Sequence, residues 1–424
     1  MKLPIGGYEF MSQEDIRRRF GDMLQSYTQE KEGEQDGFIA EVDISYPQHL
    51  HHLHQSFPLA PHQFSPQESD LSKYQSTCHK ILHTKPNKIP KLSGTFLTRK
   101  KYVVHALNLK LYTQLGMKIE KVHRVLTFRE SNFLREYIDF CTEMRSRSTN
   151  KIQSRFWKLC ANSVYGKTLE ATFKYIDMLF VRDAAKARKL ISNPRFKNYI
   201  VINKNLVGII LSRSSQEIKQ AVAIGFSILE LSKEFMYRSY YLDIQPKLGS
   251  TCRILFSDTD SLFISCRSKK DPFQKLTHIL DTSNFDRDHP LRSLDRKSKV
   301  GYFKSEVGNK SILKFIGLRS KVYTFSTRNE TSAKCKGLSR NYQKSLKMEH
   351  FEQCLNDISS FSTVQRTLMS QKHRITLAKQ RKLCFSSYDD KFYILDCGIH
   401  TRPFGSWEHL NHKSACGECG IDRL

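Results

Sequence analysis

Two aspartates, Asp258 and Asp260, are separated by one residue and lie between two short apolar runs, residues 254–255 and 262–264. Apolar runs on both sides of a short polar stretch predict a β-hairpin with both carboxylates at its tip. A turn lets the two side chains surround one divalent ion, and Mg²⁺ prefers carboxylate oxygens as ligands. Such a pair suits displacement at phosphorus, in which two metal ions stabilise the attacking and leaving oxygens. Because Asp and Ser are also ordinary turn residues, a solvated turn stays open as an alternative.

The composition indicates a folded protein with a basic surface. The chain has 424 residues, of which 39% are hydrophobic, so it can form two or three subdomains with a buried core. Its formal net charge of +27 is spread along the chain, which predicts a nucleic acid or an anionic membrane as partner. The sequence has no run of about 18 apolar residues and no apolar N-terminal segment. We therefore expect an intracellular protein that is not anchored in a membrane, in the nucleus or the cytoplasm; no targeting signal distinguishes the two.

The cysteines predict reduced thiols rather than disulfides, because their count of eleven is odd and they have no framework spacing. One cluster near the C-terminus has side chains of the types that bind zinc: His409, His412, Cys416 and Cys419. Only three residues separate the histidine pair from the cysteine pair. This spacing favours a disordered tail over a zinc site.

The periodicity along the chain predicts an α+β architecture, in which strands that carry carboxylates are interrupted by a helical block. A strand over residues 37–47 is ended by its proline. Residues 1–36 are a polar N-terminal segment, 48–95 an irregular connection and 268–298 a charged loop region. Helices are predicted near residues 14–27, over 102–115, 131–144, 153–171 (interrupted or ended near Gly166) and 221–241, and near 350–357. Further strands are predicted over residues 199–211, 321–326 and 392–395.

The helix predicted over residues 153–171 has a basic face. Spacings of three and four place four side chains on one side of it: Arg155, Lys158, Asn162 and Tyr165. Two cations suit the binding of a triphosphate, and the ring can stack on or abut a base. The alternative is an amphipathic helix with a solvated basic face.

Three ordered motifs resemble those of family B DNA polymerases. They are Gly-Phe-Ile-Ala-Glu-Val-Asp-Ile-Ser-Tyr-Pro at residues 37–47, Lys-x-x-x-Asn-Ser-x-Tyr-Gly at residues 158–166, and Asp-Thr-Asp-Ser at residues 258–261. The protein-primed branch, found in viruses, linear plasmids and Maverick/Polinton elements, is more similar still. Further segments that resemble Maverick-type polymerases are residues 228–237, 317–323, 334–338, 388–395 and 401–405, so the resemblance extends from residue 3 to about residue 407.

The resemblance implies a right-hand polymerase core with an antiparallel-sheet palm, helical fingers and a mixed thumb. Family members with proofreading have an exonuclease domain before the first motif. Only about forty residues precede it here, so we expect no 3′→5′ exonuclease. A truncated polymerase, a fragmentary gene model and a mobile-element remnant all stay open. The implied division is residues 1–36 as N-terminal segment, 37–100 as palm with an insertion, 101–175 as fingers, 176–320 as palm with the catalytic hairpin, 321–407 as thumb and 408–424 as tail.

The resemblance also implies the metal ligands. Asp258 and Asp260 would bind two Mg²⁺ ions together with a carboxylate of the first motif. Without a gap, Glu41 falls on the family's catalytic aspartate, whereas a two-residue deletion places Asp43 there. In a strand both side chains face the same side, about 6.7 Å apart along the axis. Asp43 is preferred because its shorter carboxylate matches the family's ligand.

Further roles follow from the resemblance, position by position. Lys158 would neutralise the incoming triphosphate, while Asn162 and Tyr165 would line the pocket of the nascent base pair. Tyr46 resembles the sugar gate that excludes a ribose 2′-hydroxyl, so deoxynucleotides are the expected substrates. The remaining assignments are Arg145 or Arg147 at the γ-phosphate, Lys321 and Tyr323 at the primer strand, and Lys334 and Lys336 at the duplex backbone.

The implied function is template-directed DNA synthesis by a DNA-directed DNA polymerase, a nucleotidyltransferase that acts in DNA replication without proofreading. Its partners would be primer–template DNA and dNTPs, with a terminal protein as a further candidate primer. The alternative is a degenerate polymerase that binds primer–template DNA and does not extend it. A reverse transcriptase would need adjacent palm aspartates, and Asp389-Asp390 occurs too late in the chain for that order.

Overall fold

The computed structural model describes residues 1–172, 176–212, 220–268, 270–297, 299–371 and 374–407. Within these ranges the protein has an α+β fold, and its sheets are antiparallel except for one two-residue parallel pairing, between residues 280–281 and 303–304. The strands are β1 Leu3–Phe10, β2 Gln35–Ser45, β3 His62–Phe64, β4 Lys91–Ser93, β5 Arg99–His105, β6 Lys118–Ser131, β7 Asp177–Val181, β8 Phe196–Asn203, β9 Leu206–Leu211, β10 Arg253–Asp258, β11 Ser261–Ser265, β12 Leu280–Asp281, β13 Phe303–Lys304, β14 Lys314–Arg319, β15 Val322–Ser326, β16 Thr331–Cys335, β17 Ser360–Gln371, β18 Arg374–Ser386, β19 Tyr393–Ile394 and β20 Thr401–Arg402. The helices are α1 Gln13–Ser26, α2 His51–His54, α3 Lys73–Ile81, α4 Ala106–Gln114, α5 Arg135–Ser146, α6 Lys151–Thr168, α7 Ala184–Ile191, α8 Val222–Arg238, α9 Gln245–Leu248, α10 Pro272–Leu276, α11 Arg340–Lys344 and α12 Met348–Asp357.

The main core lies on one face of a four-stranded sheet with the strand order β1-β6-β2-β5. Strand β2 alternates in burial: Phe38, Ala40, Val42 and Ile44 face the core. Side chains from α1, α4 and the C-terminal part of α8 belong to the same core. Because side chains alternate along a strand, the residues between these four lie on the opposite face of the sheet.

Several smaller units lie outside this core. Helices α5 and α6 pack as a helical hairpin, and the C-terminal end of α6 reaches α8. Strands β7, β9 and β8 form a sheet covered by α7, with Val181, Ile209 and Leu211 buried between them. Strands β17 and β18 form a long hairpin whose base packs on α12 through Phe351 and Phe385, with ring centroids 4.4 Å apart. No helix in the described ranges is long and apolar enough to cross a membrane.

Several sequence predictions are confirmed in position. The strand over residues 37–47 corresponds to β2, and the helices over 131–144, 153–171 and 221–241 correspond to α5, α6 and α8. Helix α6 continues two residues beyond Gly166 before it ends. A short π-helical segment, Ser239–Ile244, follows α8 and connects it to α9. The chain is therefore helical from residue 222 to the predicted end of this helix at residue 241.

Other predictions are corrected by the pairing between strands. Residues 102–105 belong to strand β5, and α4 begins only after His105, whose Nδ1 accepts the Leu107 N–H. Residues 199–211 form two strands rather than one. The N-terminal segment supplies β1, which pairs with β6, and the region 48–95 contains two α-helices, two short 3-10 helices and two short strands. The sequence prediction missed the long strand β6 and the hairpin β17–β18.

Candidate active site

The hairpin predicted around the two aspartates is confirmed, and both lie at its tip. Asp258 ends β10 and pairs with Ser261 of β11, so Thr259 and Asp260 form the connecting turn. The backbone N–H of Asp260 donates to the carbonyl oxygen of Asp258 at 2.7 Å. Thr259 has a φ of 62°, the left-handed conformation that allows this tight reversal. The turn leaves Asp258 partly exposed and Asp260 exposed.

Lys321 faces this tip from the neighbouring three-stranded sheet, β14-β15-β16. Its Nζ lies 2.8 Å from Oδ1 of Asp258. Lys321 itself has a φ of 62° in the turn between β14 and β15, and its carbonyl oxygen accepts the Lys336 N–H at 3.1 Å. The predicted primer-strand lysine is therefore placed beside one of the predicted metal ligands.

An aromatic cluster joins the hairpin to this sheet. The Phe256 ring of β10 lies 4.8 Å from that of Tyr323, and the Phe263 ring of β11 lies 4.9 Å from that of Phe315 and 5.1 Å from that of Tyr323. Such pairs contribute about 0.5–1.5 kcal/mol each beyond their burial. Burial, followed by the negative charges of Asp258 and Glu306, raises the pKa of Tyr323. The cluster holds a neutral tyrosine next to the aspartate hairpin and fixes the sheet that carries Lys321.

Glu41 and Asp43 lie on the face of β2 that points away from the core, and each has a basic partner on β6. Arg124 binds Glu41 through two contacts, Nε to Oε2 at 2.8 Å and Nη2 to Oε1 at 3.2 Å. This hydrogen-bonded guanidinium lowers the pKa of Glu41. For Asp43, Oδ1 accepts the Lys101 backbone N–H at 2.7 Å and lies 2.8 Å from Nε2 of His123. The Lys101 N–H, followed by His123, lowers the pKa of Asp43.

A β-bulge explains why His123 reaches Asp43. Glu41 pairs with Arg124 and Val42 with Val122, so His123 is the extra residue of β6 at this point. A bulge redirects side chains locally. His123, Arg124 and Lys101 were not predicted as site residues, because no local pattern shows which residue of a distant strand will face Asp43.

The carboxylates at these positions are suitable ligands for Mg²⁺, which binds hard oxygen atoms. Within the described ranges, however, no group of three or more His, Cys, Asp or Glu side chains is placed so that it could hold a metal ion. The convergence of the first-motif carboxylate with Asp258 and Asp260 therefore stays a prediction. The tail residues suggested as zinc ligands lie outside the described residues.

Tyr46, the predicted sugar gate, is buried at the end of β2. Its hydroxyl lies 2.7 Å from Nδ1 of His54 and accepts the Leu59 N–H at 3.3 Å, while its ring lies 4.7 Å from that of Phe96. Burial raises the pKa of this phenol well above its ordinary value. These contacts fix where the ring lies, and its role as a sugar gate stays a prediction.

The predicted nucleotide-binding residues of α6 lie on a formed helix. Asn150 caps its N-terminus by accepting the N–H groups of Ile152 and Gln153. Lys158 and Asn162 are exposed on the predicted face, and Tyr165 is partly exposed. Arg145, near the end of α5, and Lys334 and Lys336, in and after β16, are exposed as well, and Arg147 pairs with Glu143.

Comparison with solved structures identifies DNA polymerases. The TM-score is 0.50, at 15% sequence identity, with Phi29 DNA polymerase complexed with primer–template DNA in the post-translocation binary complex. It is 0.51, at 14% identity, with the ternary complex of Phi29 DNA polymerase with primer–template DNA and incoming nucleotide substrates. These alignments cover 90% of this chain and 54% and 55% of those chains, so this chain spans about half the length of the polymerases it matches.

No protein-family model matches the sequence, and no curated protein does. The structural likeness, at such low identity, concerns the fold. Over nine-tenths of its length, the chain has a fold similar to that of a DNA polymerase.

Proposed function

We propose that this chain is the core of a family B DNA polymerase of the protein-primed type. It would add dNTPs to the 3′-hydroxyl of a primer on template DNA and release pyrophosphate. The observation that carries this proposal is the pair of carboxylates at the β10–β11 tip, in a chain whose fold is similar to that of Phi29 DNA polymerase. The four-stranded sheet and the β10–β11 hairpin would be the palm, and residues 321–407 the thumb. The fingers, expected over residues 101–175, would be only α5 and α6, because β5 and β6 belong to the four-stranded sheet.

We propose Asp43 rather than Glu41 as the first-motif ligand. Arg124 engages both carboxylate oxygens of Glu41, whereas the contacts made to Asp43 by the described residues all reach Oδ1. Asp43, Asp258 and Asp260 would hold two Mg²⁺ ions. When bound, such ions neutralise the charge that develops on the transferred phosphoryl group.

The other residues would position the substrates, which is most of what phosphoryl transfer requires of a protein. The Lys158 ammonium would bind the triphosphate, with Arg145 reaching the γ-phosphate, while Asn162 and Tyr165 contact the base pair. The Tyr46 ring would exclude a 2′-hydroxyl. At the DNA, Lys321 and Tyr323 would contact the primer strand, and Lys334 and Lys336 the duplex backbone.

Primer extension with dNTPs and Mg²⁺ tests the proposal. We expect the wild-type protein to extend a primer and Asp260→Asn to lower the rate at least about 10³-fold, because a lost metal ligand removes about 4 kcal/mol of transition-state stabilisation. Asp288→Asn, an exposed aspartate in the loop region after β12, is the matched control and should extend normally. The assignment is wrong if Asp260→Asn extends primers as fast as the control.

The second candidate function is DNA binding without extension. It is favoured by the basic partners of Glu41, Asp43 and Asp258 and by the lack, within the described ranges, of three assembled metal ligands. A wild-type protein that binds primer–template DNA but does not extend it with Mg²⁺ or Mn²⁺ would establish this alternative. In both cases binding should weaken steeply with salt, by about 10³–10⁵ between 50 and 200 mM for six to ten phosphate contacts.

A further inference from the structure

The ammonium of Lys321 lies where a metal ion bound to Asp258 would lie, so the two cations compete for this carboxylate. Its Nζ lies 2.8 Å from Oδ1 of Asp258. One of the two oxygens with which Asp258 could bind a metal ion is therefore already in an ion pair. The second carboxylate of the turn, Asp260, has no ion pair with any described residue. One of the two hairpin carboxylates is thus already neutralised and the other is not.

The backbone of Lys321 is held in place independently of this ion pair. Its left-handed φ of 62° is uncommon for a residue other than glycine, and the Lys336 N–H fixes its carbonyl oxygen at 3.1 Å. The ring contact between Phe256 and Tyr323 joins the same sheet to the hairpin. The long side chain is 42% exposed, against 29% for Asp258, so solvent lies beside the ion pair on the lysine's side.

We propose that Lys321 is a built-in counter-cation for Asp258, which a divalent ion displaces when it binds at the hairpin tip. This inference rests on the proposed function, since it takes Asp258 as a metal ligand. Two carboxylates one residue apart repel each other, and the ammonium weakens that repulsion in the metal-free protein. A partly exposed ion pair is weak, so a divalent cation with direct oxygen ligation can replace it.

The displaced ammonium then becomes available to a phosphate of the nucleic acid. Metal binding at Asp258 and phosphate binding at Lys321 both favour the conformation in which the Lys321 ammonium has left Asp258. Each should therefore strengthen the other. Lys321 is in this sense a positioning residue that acts through Asp258. Its ammonium neutralises the negative charge of Asp258 until a metal ion and DNA bind.

Titration of the full-length, DNA-free protein with Mn²⁺, with free Mn²⁺ followed by electron paramagnetic resonance, tests the proposal without any activity. We expect Lys321→Met to bind Mn²⁺ about threefold to tenfold more tightly than the wild type, because the competing ammonium is gone. Lys321→Arg, which keeps a cation at the same place, should bind like the wild type. Lys334→Met makes the same change of net charge on the exposed strand β16 and should shift the affinity by less than about twofold.

Asp258→Asn distinguishes the counter-cation role of Lys321 from the assignment of Asp258 as a metal ligand. If it weakens Mn²⁺ binding while Lys321→Met and wild type bind equally, the counter-cation role is wrong and the proposed metal ligand stands. If Lys334→Met strengthens binding as much as Lys321→Met, only general charge is involved and the role is again wrong. If Asp258→Asn leaves Mn²⁺ binding unchanged, the metal assignment of the proposed function fails together with this inference.

Discussion

The four-stranded sheet and helix α6 carry proposed functional residues in opposite ways. In β2 every second residue is buried, and the two carboxylates between them are held by partners on β5 and β6. Helix α6 has no buried residue, and Lys158 on its exposed face has no hydrogen bond or ion pair with the residues that the structure describes. The sheet therefore orients its carboxylates before any ligand binds, whereas the side chains of α6 would be oriented by the ligand itself.

The apolar residues of the two regions show the same difference. Leu109 of α4, which packs on the sheet, is fully buried, whereas Leu159 of α6 is 66% exposed. The α5–α6 hairpin relies on contacts of its own, such as the Trp157 ring, whose centroid lies 5.6 Å from that of Phe140 and 5.1 Å from that of Phe156. Apart from the contact between the C-terminal end of α6 and α8, this region packs on itself, so a change in its position would cost little of the packing in the main core.

The largest effect is expected for the two carboxylates of β2, and it tests which of them binds the catalytic metal ions. Asp43→Asn should lower the rate of primer extension at least about 10³-fold, by about 4 kcal/mol of transition-state stabilisation. Glu41→Gln should lower it far less, because Arg124 already engages both oxygens of Glu41. Single-turnover extension with the two variants side by side measures this. Equal losses would mean that the Arg124 contact does not exclude Glu41 from the metal site.

The second prediction makes the same substitution in both regions. Leu109→Ala should lower the free energy of unfolding by about 2–5 kcal/mol, because it leaves a cavity in the main core. Leu159→Ala should change it by less than about 0.5 kcal/mol, because that side chain is exposed. Urea unfolding followed by circular dichroism measures both. A loss of more than 1.5 kcal/mol for Leu159→Ala would show that α6 has a buried face that the structure does not describe.

The elements that could be predicted from the sequence are those whose signal is local. The β10–β11 hairpin has apolar arms on either side of a polar turn, and α6 has a helical periodicity up to Gly166, so both were predicted. Strand β6 was missed, since its role depends on pairing with β1 and β2 at the same time. Residues 102–105 have spacings that also fit a helix, and only their pairing with β2 makes them a strand.

The same limit applies to the candidate site. Asp258, Asp260 and Lys158 stand out because each belongs to a short motif. His123 and Arg124 do not, since they face Asp43 and Glu41 only through the register and the bulge between β2 and β6. Interstrand register is a long-range property that one sequence, without its partner strand, does not display.

The third prediction tests whether the exposed face of α6 acquires its role from a ligand. Lys158→Ala should lower kcat/KM for dNTP incorporation about 10- to 100-fold, the effect of losing one charge-assisted contact to a phosphate. Unfolding should be unaffected, because Lys158 contacts no described residue through its charge. Lys167→Ala, on the opposite side of α6, is the matched control and should keep near-normal incorporation. A parallel loss of DNA affinity in Lys158→Ala would indicate a DNA contact instead of a triphosphate contact.

The smallest effect concerns the end of α6 itself. Asn150→Ala should remove the acceptor for the N–H groups of Ile152 and Gln153 and destabilise the helix by about 1 kcal/mol. Since α6 buries no residue, this loss should appear as faster hydrogen exchange in the first turn of α6, with little change in exchange of the β2 amides. Asn150→Asp keeps the acceptor and should restore protection. If Asn150→Ala accelerates exchange in β2 as much as in α6, the two regions unfold as one unit, and α6 could not be repositioned by a substrate while the sheet stays intact.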